Sequence, residues 1–280
     1  MPLYRPSELA AFLASIEASP KRTLSQNFLI DGNILSKMVC EAPIGSCVLE
    51  IGPGPGALTE ALLNAGCRVV AVEKDKKFAR ALRRLDEGEK RLTIIESDVL
   101  ECSWTQMVPA GSAIISNLPY HATAPILERL FRAHSHFPKA ALMVQEEAAR
   151  RLKEASSSLL GVLLGCCYDV QYGFSVPKSC FWPKPGVDSA VLLFRERPLI
   201  GSVEGEERLE KIVRAAFVGK RKTLLHSLKG FFSREELETF LQRNGLSATA
   251  RPEEMTVHQW AALVSEGGGL SSLAMTDSVS

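Results

Sequence analysis

Charge excess is absent from this chain. Thirty-three Lys and Arg stand against 32 Asp and Glu, a formal net charge of +1. Bulk charge therefore selects no partner, and contact with nucleic acid would have to come from clustered cations. A metal or redox motif is also missing. The seven cysteines (Cys40, Cys47, Cys67, Cys102, Cys166, Cys167 and Cys180) form no CxxC pair, and several sit inside apolar runs. Reduced, buried thiols in a cytosolic protein are expected, with no metal site. Long apolar runs are lacking as well. The uncharged, largely apolar stretch 155–168 falls short of the ~20 residues a membrane helix needs. The N-terminal segment carries Glu8 and Glu17 and no apolar signal core, so a cytoplasmic protein without membrane association is expected. No internal repeat is found. The rest is ordinary: 46% hydrophobic and 23% charged over 280 residues excludes wholesale disorder and suits one core domain with a small appendage.

Short apolar runs at 47–51, 68–72, 92–95, 113–116 and 140–144 read as buried parallel strands, with helical patterns near 57–65, 76–86 and 122–134 between them. Such alternation predicts an α/β fold with a mostly parallel, Rossmann-like sheet. Two β-rich runs near 167–176 and 187–195 flank the loop 177–186 and predict a closing antiparallel pair. Upstream, Ser7 is placed as the cap of a helix to Ile16 and Asp31 as the cap of another to Glu41. Beyond Pro198 the periodicity is helical, at 206–217, 220–231 and 233–243, the last opening with the capping box Ser233-x-x-Glu236. A second box, Thr256-x-x-Gln259, introduces Val257, Trp260, Ala261 and Val264 on one helical face. The expected domains are an α/β domain at 1–200 and an all-α domain at 201–266, followed by a disordered Gly/Ser-rich tail at 267–280.

The first strand runs into Leu49-Glu50-Ile51-Gly52-Pro53-Gly54-Pro55-Gly56. Glycines there permit a tight turn and let a ligand approach the backbone at a helix N-terminus. Glu73 ends the next strand, 21 residues after Gly52, the usual place for an acid that accepts from ribose hydroxyls. Asp98 follows the third strand at the same edge. The spacing is GxGxG, because Ala57 stands where GxGxxG would continue. Pyrophosphate is thereby disfavoured and an adenosyl ligand without phosphate preferred. The bland alternative is a Gly/Pro turn with the two acids as helix caps.

After the fourth strand comes Asn117-Leu118-Pro119-Tyr120. The exocyclic amine of adenine is a poor nucleophile because its lone pair is delocalised into the ring. The Asn117 side-chain oxygen and the Leu118 carbonyl can hold its hydrogens and aim the lone pair at an electrophilic methyl, while Tyr120 stacks on the extruded base. Positioning and electrostatics then supply most of the rate. An Asn-Pro turn with a buried Tyr is the plainer reading.

Together these residues resemble the S-adenosylmethionine-dependent rRNA adenine N6-dimethyltransferases, most closely the bacterial small-subunit branch, over about residues 20–265. Leu24-Ser25-Gln26-Asn27-Phe28-Leu29 is similar to the family's N-terminal signature, and residues 49–59 to its cofactor loop. Gln145-Glu146-Glu147-Ala148-Ala149-Arg150-Arg151-Leu152 resembles its Q-x-E-x-A-x-R segment. Phe181-Trp182-Pro183-Lys184-Pro185-Gly186-Val187-Asp188-Ser189 resembles its FxPxPxVxS loop, and Phe217-x-x-Lys220-Arg221-Lys222-x-Leu224 its F-x-x-R-R-K-T-L helix. The resemblance implies a class I methyltransferase sheet with a small all-α C-terminal domain. It implies that S-adenosylmethionine is held by Gln26, Asn27, Leu29, Gly52, Gly54, Gly56, Glu73, Lys74, Asp98, Val99 and Asn117. The implied catalytic set is Asn117, Leu118, Pro119, Tyr120 and Phe181, the last bordering the target base. Three positions depart from the pattern. His121 stands where Asn is common and is expected to face solvent, Ser156-Ser157-Ser158-Leu159-Leu160 replaces a more basic segment, and Lys220 replaces an Arg.

Between Arg214 and Lys229 lie five basic residues and no acidic one: Arg214, Lys220, Arg221, Lys222 and Lys229. Arg150, Arg151 and Lys153 form a second cluster, and Lys21 and Arg22 a third. These are the expected phosphate contacts for a structured RNA that presents unstacked adenines. The expected reaction is double methylation of N6 on two adjacent adenines of small-subunit rRNA, in an assembling (pre-30S) particle, by a monomer. The rivals are a large-subunit rRNA methyltransferase, a non-catalytic RNA-binding descendant of the fold and, more distantly, a dinucleotide oxidoreductase.

Overall fold

Five apolar runs of the N-terminal half become β1 (Cys47–Ile51), β2 (Arg68–Glu73), β3 (Leu92–Glu96), β4 (Ala113–Asn117) and β5 (Lys139–Gln145), followed by β6 (Tyr168–Val176) and β7 (Ser189–Glu196). In this computed structural model, residues 3–21, 26–43, 45–86, 88, 90–219 and 221–266 are described. Arg22, Leu24, Ser25, Lys220 and the tail 267–280, all singled out above, lie outside the described residues.

The seven strands form one sheet in the order β3-β2-β1-β4-β5-β7-β6. The first five run parallel, and β7 is antiparallel to both β5 and β6. All five residues of β1 are buried, as both faces of a parallel strand must be when helices cover them. The edge strand β6 instead alternates half-buried and exposed positions over 170–175. The chain moves outward from β1 to β3, then returns to β4 on the other side of β1. At such a reversal the loops after neighbouring strands diverge and leave a crevice at their carboxyl ends. A two-residue antiparallel ribbon, Phe28–Leu29 with Phe181–Trp182, adds a short second sheet. Leu29, Val48, Leu62, Ile115, Met143, Phe181 and Val191 belong to one buried cluster, while Phe28 packs with Leu9, Leu13 and Phe78.

The described chain separates into two compact units. The first holds the sheet, through Glu154 and again over Cys167–Arg197; the second joins Ala155–Cys166 to the described residues from Pro198 onward. The boundary expected at residue 200 thus leaves out one passage. The uncharged stretch after Glu154 forms the helix Leu159–Cys167, whose Val162, Leu163 and Leu164 are buried. A helix apolar all round shows no stripe to the eye. Within the second unit Gly165 lies so close to Val257 that an added Cβ would come within 2.8 Å of its Cγ1. The helices Val203–Phe217, Arg234–Arg243 and Val257–Glu266 surround Leu209, Ile212, Leu237, Phe240 and Trp260. Both capping boxes are formed: Ser233 with Glu236, and Thr256 with Gln259.

Two helices differ from expectation. The first spans Pro6–Ser15 and is opened by proline rather than capped by Ser7, since Arg5 occupies the cap position without a side-chain bond. The helix expected over 220–231 shrinks to Leu224–Ser227. Thr223 Oγ1 accepts from the His226 N–H, so a cap begins where a continuous helix had been expected. Asp31 does cap Gly32–Val39, accepting from the N–H groups of Asn33 and Ile34. Among the described residues no helix is long and apolar enough to cross a membrane, and no cluster of His, Cys, Asp and Glu could hold a metal ion.

Candidate active site

The loops after β1, β2, β3 and β4 enclose a cavity of about 310 Å³ within the first unit, inside the range of small-molecule sites. Gly52, Gly54 and Gly56 take φ of +66°, +56° and +92°, which swing the chain from β1 into the helix Ala57–Asn64. Gly54 is fixed by space as well as by φ: an added Cβ would lie 3.1 Å from the Phe28 ring. Gly52 and Gly54 line the cavity. Gly56 caps the helix beside Leu82 and is not among the residues that line the cavity.

Glu73 ends β2 with its carboxylate under backbone control. Gly54 N–H donates to Oε2 at 2.9 Å and Asp75 N–H to Oε1 at 2.8 Å. Burial raises its pKa, partly offset by these two donors. Each oxygen keeps a further lone pair, so hydroxyl donors in the cavity can add to the same carboxylate. At the end of β3, Asp98 accepts from Lys74 Nζ (2.7 Å) and from the Leu100 N–H (2.9 Å), contacts that hold its carboxyl below the usual range. Gln26, Asn27, Leu29, Lys74, Asp98 and Val99 all reach the cavity wall.

The tetrapeptide leaves β4 as expected. Asn117 Nδ2 donates to the Asn27 carbonyl at 3.3 Å, and the Leu118 N–H to Met143 at 3.0 Å. Asn117 Oδ1 is buried and has no hydrogen-bond partner among the described residues. A buried acceptor without a donor costs free energy, and this one belongs to a residue on the cavity wall. Tyr120 is tied by its hydroxyl to Ser189 Oγ at 2.6 Å, and burial raises its pKa. Leu118, Pro119, Tyr120 and the exposed His121 line the same space.

Residues 18–266 match the family described as ribosomal RNA adenine dimethylase. The chain belongs to this family. The ribosomal RNA small subunit methyltransferase A of Protochlamydia amoebophila is 39% identical over 278 residues, covering 95% of this chain and 98% of the relative. Its namesake from Chlamydia trachomatis is 37% identical, covering 90% and 94%. Among solved structures, the 23S rRNA methyltransferase ErmE superposes with a TM-score of 0.71 at 27% identity, over 85% of this chain and 98% of that one. A dimethyladenosine transferase from Plasmodium falciparum shares the fold (TM-score 0.69, 23% identity, 86% and 98% covered). The mostly parallel α/β sheet is thus the Rossmann-like methyltransferase fold.

Other expected site residues of this dimethylase-family chain lie elsewhere. Phe181, expected beside the target base, is 3% exposed and packed in the sheet core. Its pairing with Leu29 turns it inward. Lys21 forms an ion pair with Asp75 (2.7 Å) next to the glycine loop. Burial opposes ionisation of Asp75, but Lys21 and the Lys77 N–H hold its pKa low. Arg150, Arg151 and Arg214 each pair one helical turn back, with Glu146, Glu147 and Glu210, so their charges are partly neutralised. Arg221 and Lys222 are exposed.

Three residues of the site were not anticipated. Glu50, 2% exposed in the middle of β1, accepts from Thr59 Oγ1 at 2.7 Å and lines the cavity. Burial pushes its pKa to about 8, with the Glu73 charge adding to the rise and Thr59 opposing it. Its signal was a lone acid inside an apolar strand. Ser116 Oγ donates to the Ile51 carbonyl at 2.6 Å and joins β4 to β1 below the site. Arg84 donates to the Pro55 carbonyl at 2.7 Å and stacks over Phe12, bracing the glycine loop from behind.

Proposed function

We propose that the chain transfers methyl groups from S-adenosylmethionine to N6 of two adjacent adenines in a small-subunit rRNA hairpin loop, twice on each. It would act on an assembling small-subunit particle in the cytoplasm, as a monomer. The observation that carries the reading is the orphaned Oδ1 of Asn117 on the wall of a cavity whose other polar groups suit an adenosyl ligand.

When bound, S-adenosylmethionine supplies an electrophilic methyl on a sulfonium. Glu73 is assigned to the ribose hydroxyls and Asp98 to the adenine end, with Gln26, Asn27, Leu29, Lys74 and Val99 completing the wall. Asn117 Oδ1 accepts one N6 hydrogen of the target and the Leu118 carbonyl the other, which turns the amine lone pair out of conjugation. N6 would take the sulfonium methyl of the S-adenosylmethionine held there, the S–C electron pair would stay on sulfur, and the surplus amine proton would leave to solvent. Tyr120, braced by Ser189, offers a face to the base. Positioning and a preorganised acceptor carry the rate, without an obligatory general base. Exposed Arg221 and Lys222, with Arg150, Arg151, Arg214 and Lys21, are the proposed phosphate contacts, together with Arg22 and Lys220.

Small-subunit rRNA is preferred to large-subunit rRNA because the full-length relatives at 37–39% identity are named for the small subunit, against 27% for the 23S rRNA methyltransferase. The test is incubation with labelled S-adenosylmethionine and unmethylated small or large subunits, followed by nucleoside mass spectrometry. N6,N6-dimethyladenosine confined to one adjacent pair in the small-subunit RNA is expected. Label in large-subunit RNA, or cofactor binding with no transfer to either, would contradict the proposal.

A further inference from the structure

Phe181 is turned into the core, but its neighbour is not. Trp182 is 40% exposed, a large apolar surface to leave in water unless something covers it. Its place is specific. Trp182 is the register partner of Phe28 in the antiparallel ribbon, so both side chains leave the ribbon on the same face. Phe28 lines the catalytic cavity and touches the space beside Gly54. The loop bearing Trp182 is anchored at both ends: the Lys178 N–H donates to Asp188 Oδ1 at 2.8 Å, and Ser189 is bonded to Tyr120. The ribbon that carries Trp182 therefore pairs with Phe28 of the cavity wall, and its loop runs on to Ser189, which holds Tyr120.

Charge favours one kind of occupant. From 177 to 188 the loop carries Lys178 and Lys184 against one acid, Asp188, whose Oδ1 accepts from the Lys178 N–H, and Lys184 is exposed. An exposed aromatic face paired with a cavity-lining residue, with an exposed lysine two positions on, suits an unpaired nucleotide: the base stacks and the phosphate meets the lysine. We propose that Trp182, with Lys184 beside it, is a stacking platform for the nucleotide next to the target adenine, holding the RNA loop open while Tyr120 takes the target itself. This rests on the rRNA methyltransferase reading above.

Trp104 and Trp260 are 3% and 0% exposed, so Trp182 is the tryptophan that RNA can reach. Intrinsic emission, titrated with an unmethylated small-subunit rRNA hairpin in the presence of S-adenosylhomocysteine, should fall as the hairpin binds. Trp182→Ala should abolish that quench and weaken hairpin binding about 5- to 150-fold, the range expected for one lost base stack. Trp182→Phe should keep most of the affinity, and both variants should bind S-adenosylmethionine like the wild type. On unmethylated particles the Ala variant should raise KM with little change in kcat. A hairpin bound without quenching, or bound equally by wild type and Trp182→Ala with equal KM on particles, overturns the proposal. So does a cofactor affinity that falls along with RNA affinity, which would make Trp182 a prop for Phe28. A defect seen on particles but absent on a hairpin that binds would assign Trp182 to a ribosomal protein instead. If the wild type methylates no rRNA at all, the functional reading fails. If it methylates normally and ignores Trp182→Ala, only the platform fails.

Discussion

The Gly54 N–H and the Glu73 carboxylate, 2.9 Å apart, join the loop after β1 to the end of β2. The acid therefore shapes the glycine loop while lining the cavity proposed for the cofactor. Glu73→Ala should lose the acceptor for two buried N–H groups together with the ribose contact. Cofactor affinity should fall at least tenfold, since a hydrogen bond to a charged group is worth about 1.5–3 kcal/mol. Glu73→Gln, which keeps one carbonyl acceptor, should lose less. Calorimetry with S-adenosylmethionine checks both, and an unchanged Kd for Glu73→Ala would remove the assignment.

Glu50 gives the fold a pH dependence. Its pKa rises from 4.5 to about 8 because burial disfavours the charged form. Between those values the folded chain holds a proton that the unfolded chain has released, so this group's contribution makes stability fall as pH rises through the window and level off above it. Glu50→Gln keeps the acceptor for Thr59 and carries no charge. The variant should match the wild type at pH 5 and exceed it at pH 8.5, by on the order of a few kcal/mol. Thermal unfolding at the two pH values measures this. An equal effect at both would mean that Glu50 does not titrate in this range.

Gly56 tests packing behind the loop. An added Cβ would lie 2.5 Å from Leu82 Cδ2, and φ is +92°. Gly56→Ala should cost about 2–4 kcal/mol, strain plus the displacement of a buried leucine. Gly66, at φ +84° with nothing within 4 Å, should cost only the strain, about 1–2 kcal/mol. Chemical denaturation compares the two, and equal losses would show that Leu82 yields freely.

How far residues alone disclose such a structure depends on where their partners are. Glu73 and Asn117 end their strands and were readable because loop spacing puts them at one sheet edge. Asp31 and Ser233 were readable because a cap is satisfied within three residues. Phe181 was not: the strand that turns it inward, Phe28–Leu29, lies about 150 residues upstream. The helix Leu159–Cys167 was hidden by its apolar uniformity. Glu50 shows its charge in the sequence but not its burial or its bond to Thr59.

The basic residues make unequal demands on RNA. Arg150 and Arg151 are already paired with Glu146 and Glu147, whereas Arg221 and Lys222 are exposed and form no such i,i+4 pair. Neutralising Arg221 and Lys222 together should weaken rRNA binding and flatten the salt dependence of log K by about 1.4–1.8. The Arg150/Arg151 double variant should change the slope less. Binding across a salt series separates the two, and the reverse order would move the RNA to the Glu146–Lys153 helix.

Asn117 Oδ1 decides the matter. Single-turnover methyl transfer to unmethylated small-subunit particles should be compared for wild type and Asn117→Ala, with S-adenosylmethionine affinity measured on the same samples. In the proposed role the acceptor acts on the amine during the reaction, so the rate should fall about 100- to 1,000-fold, as when one preorganised hydrogen-bonding group is removed from an active site. Cofactor Kd should change only a few-fold. Near-wild-type turnover with intact cofactor binding would contradict the account.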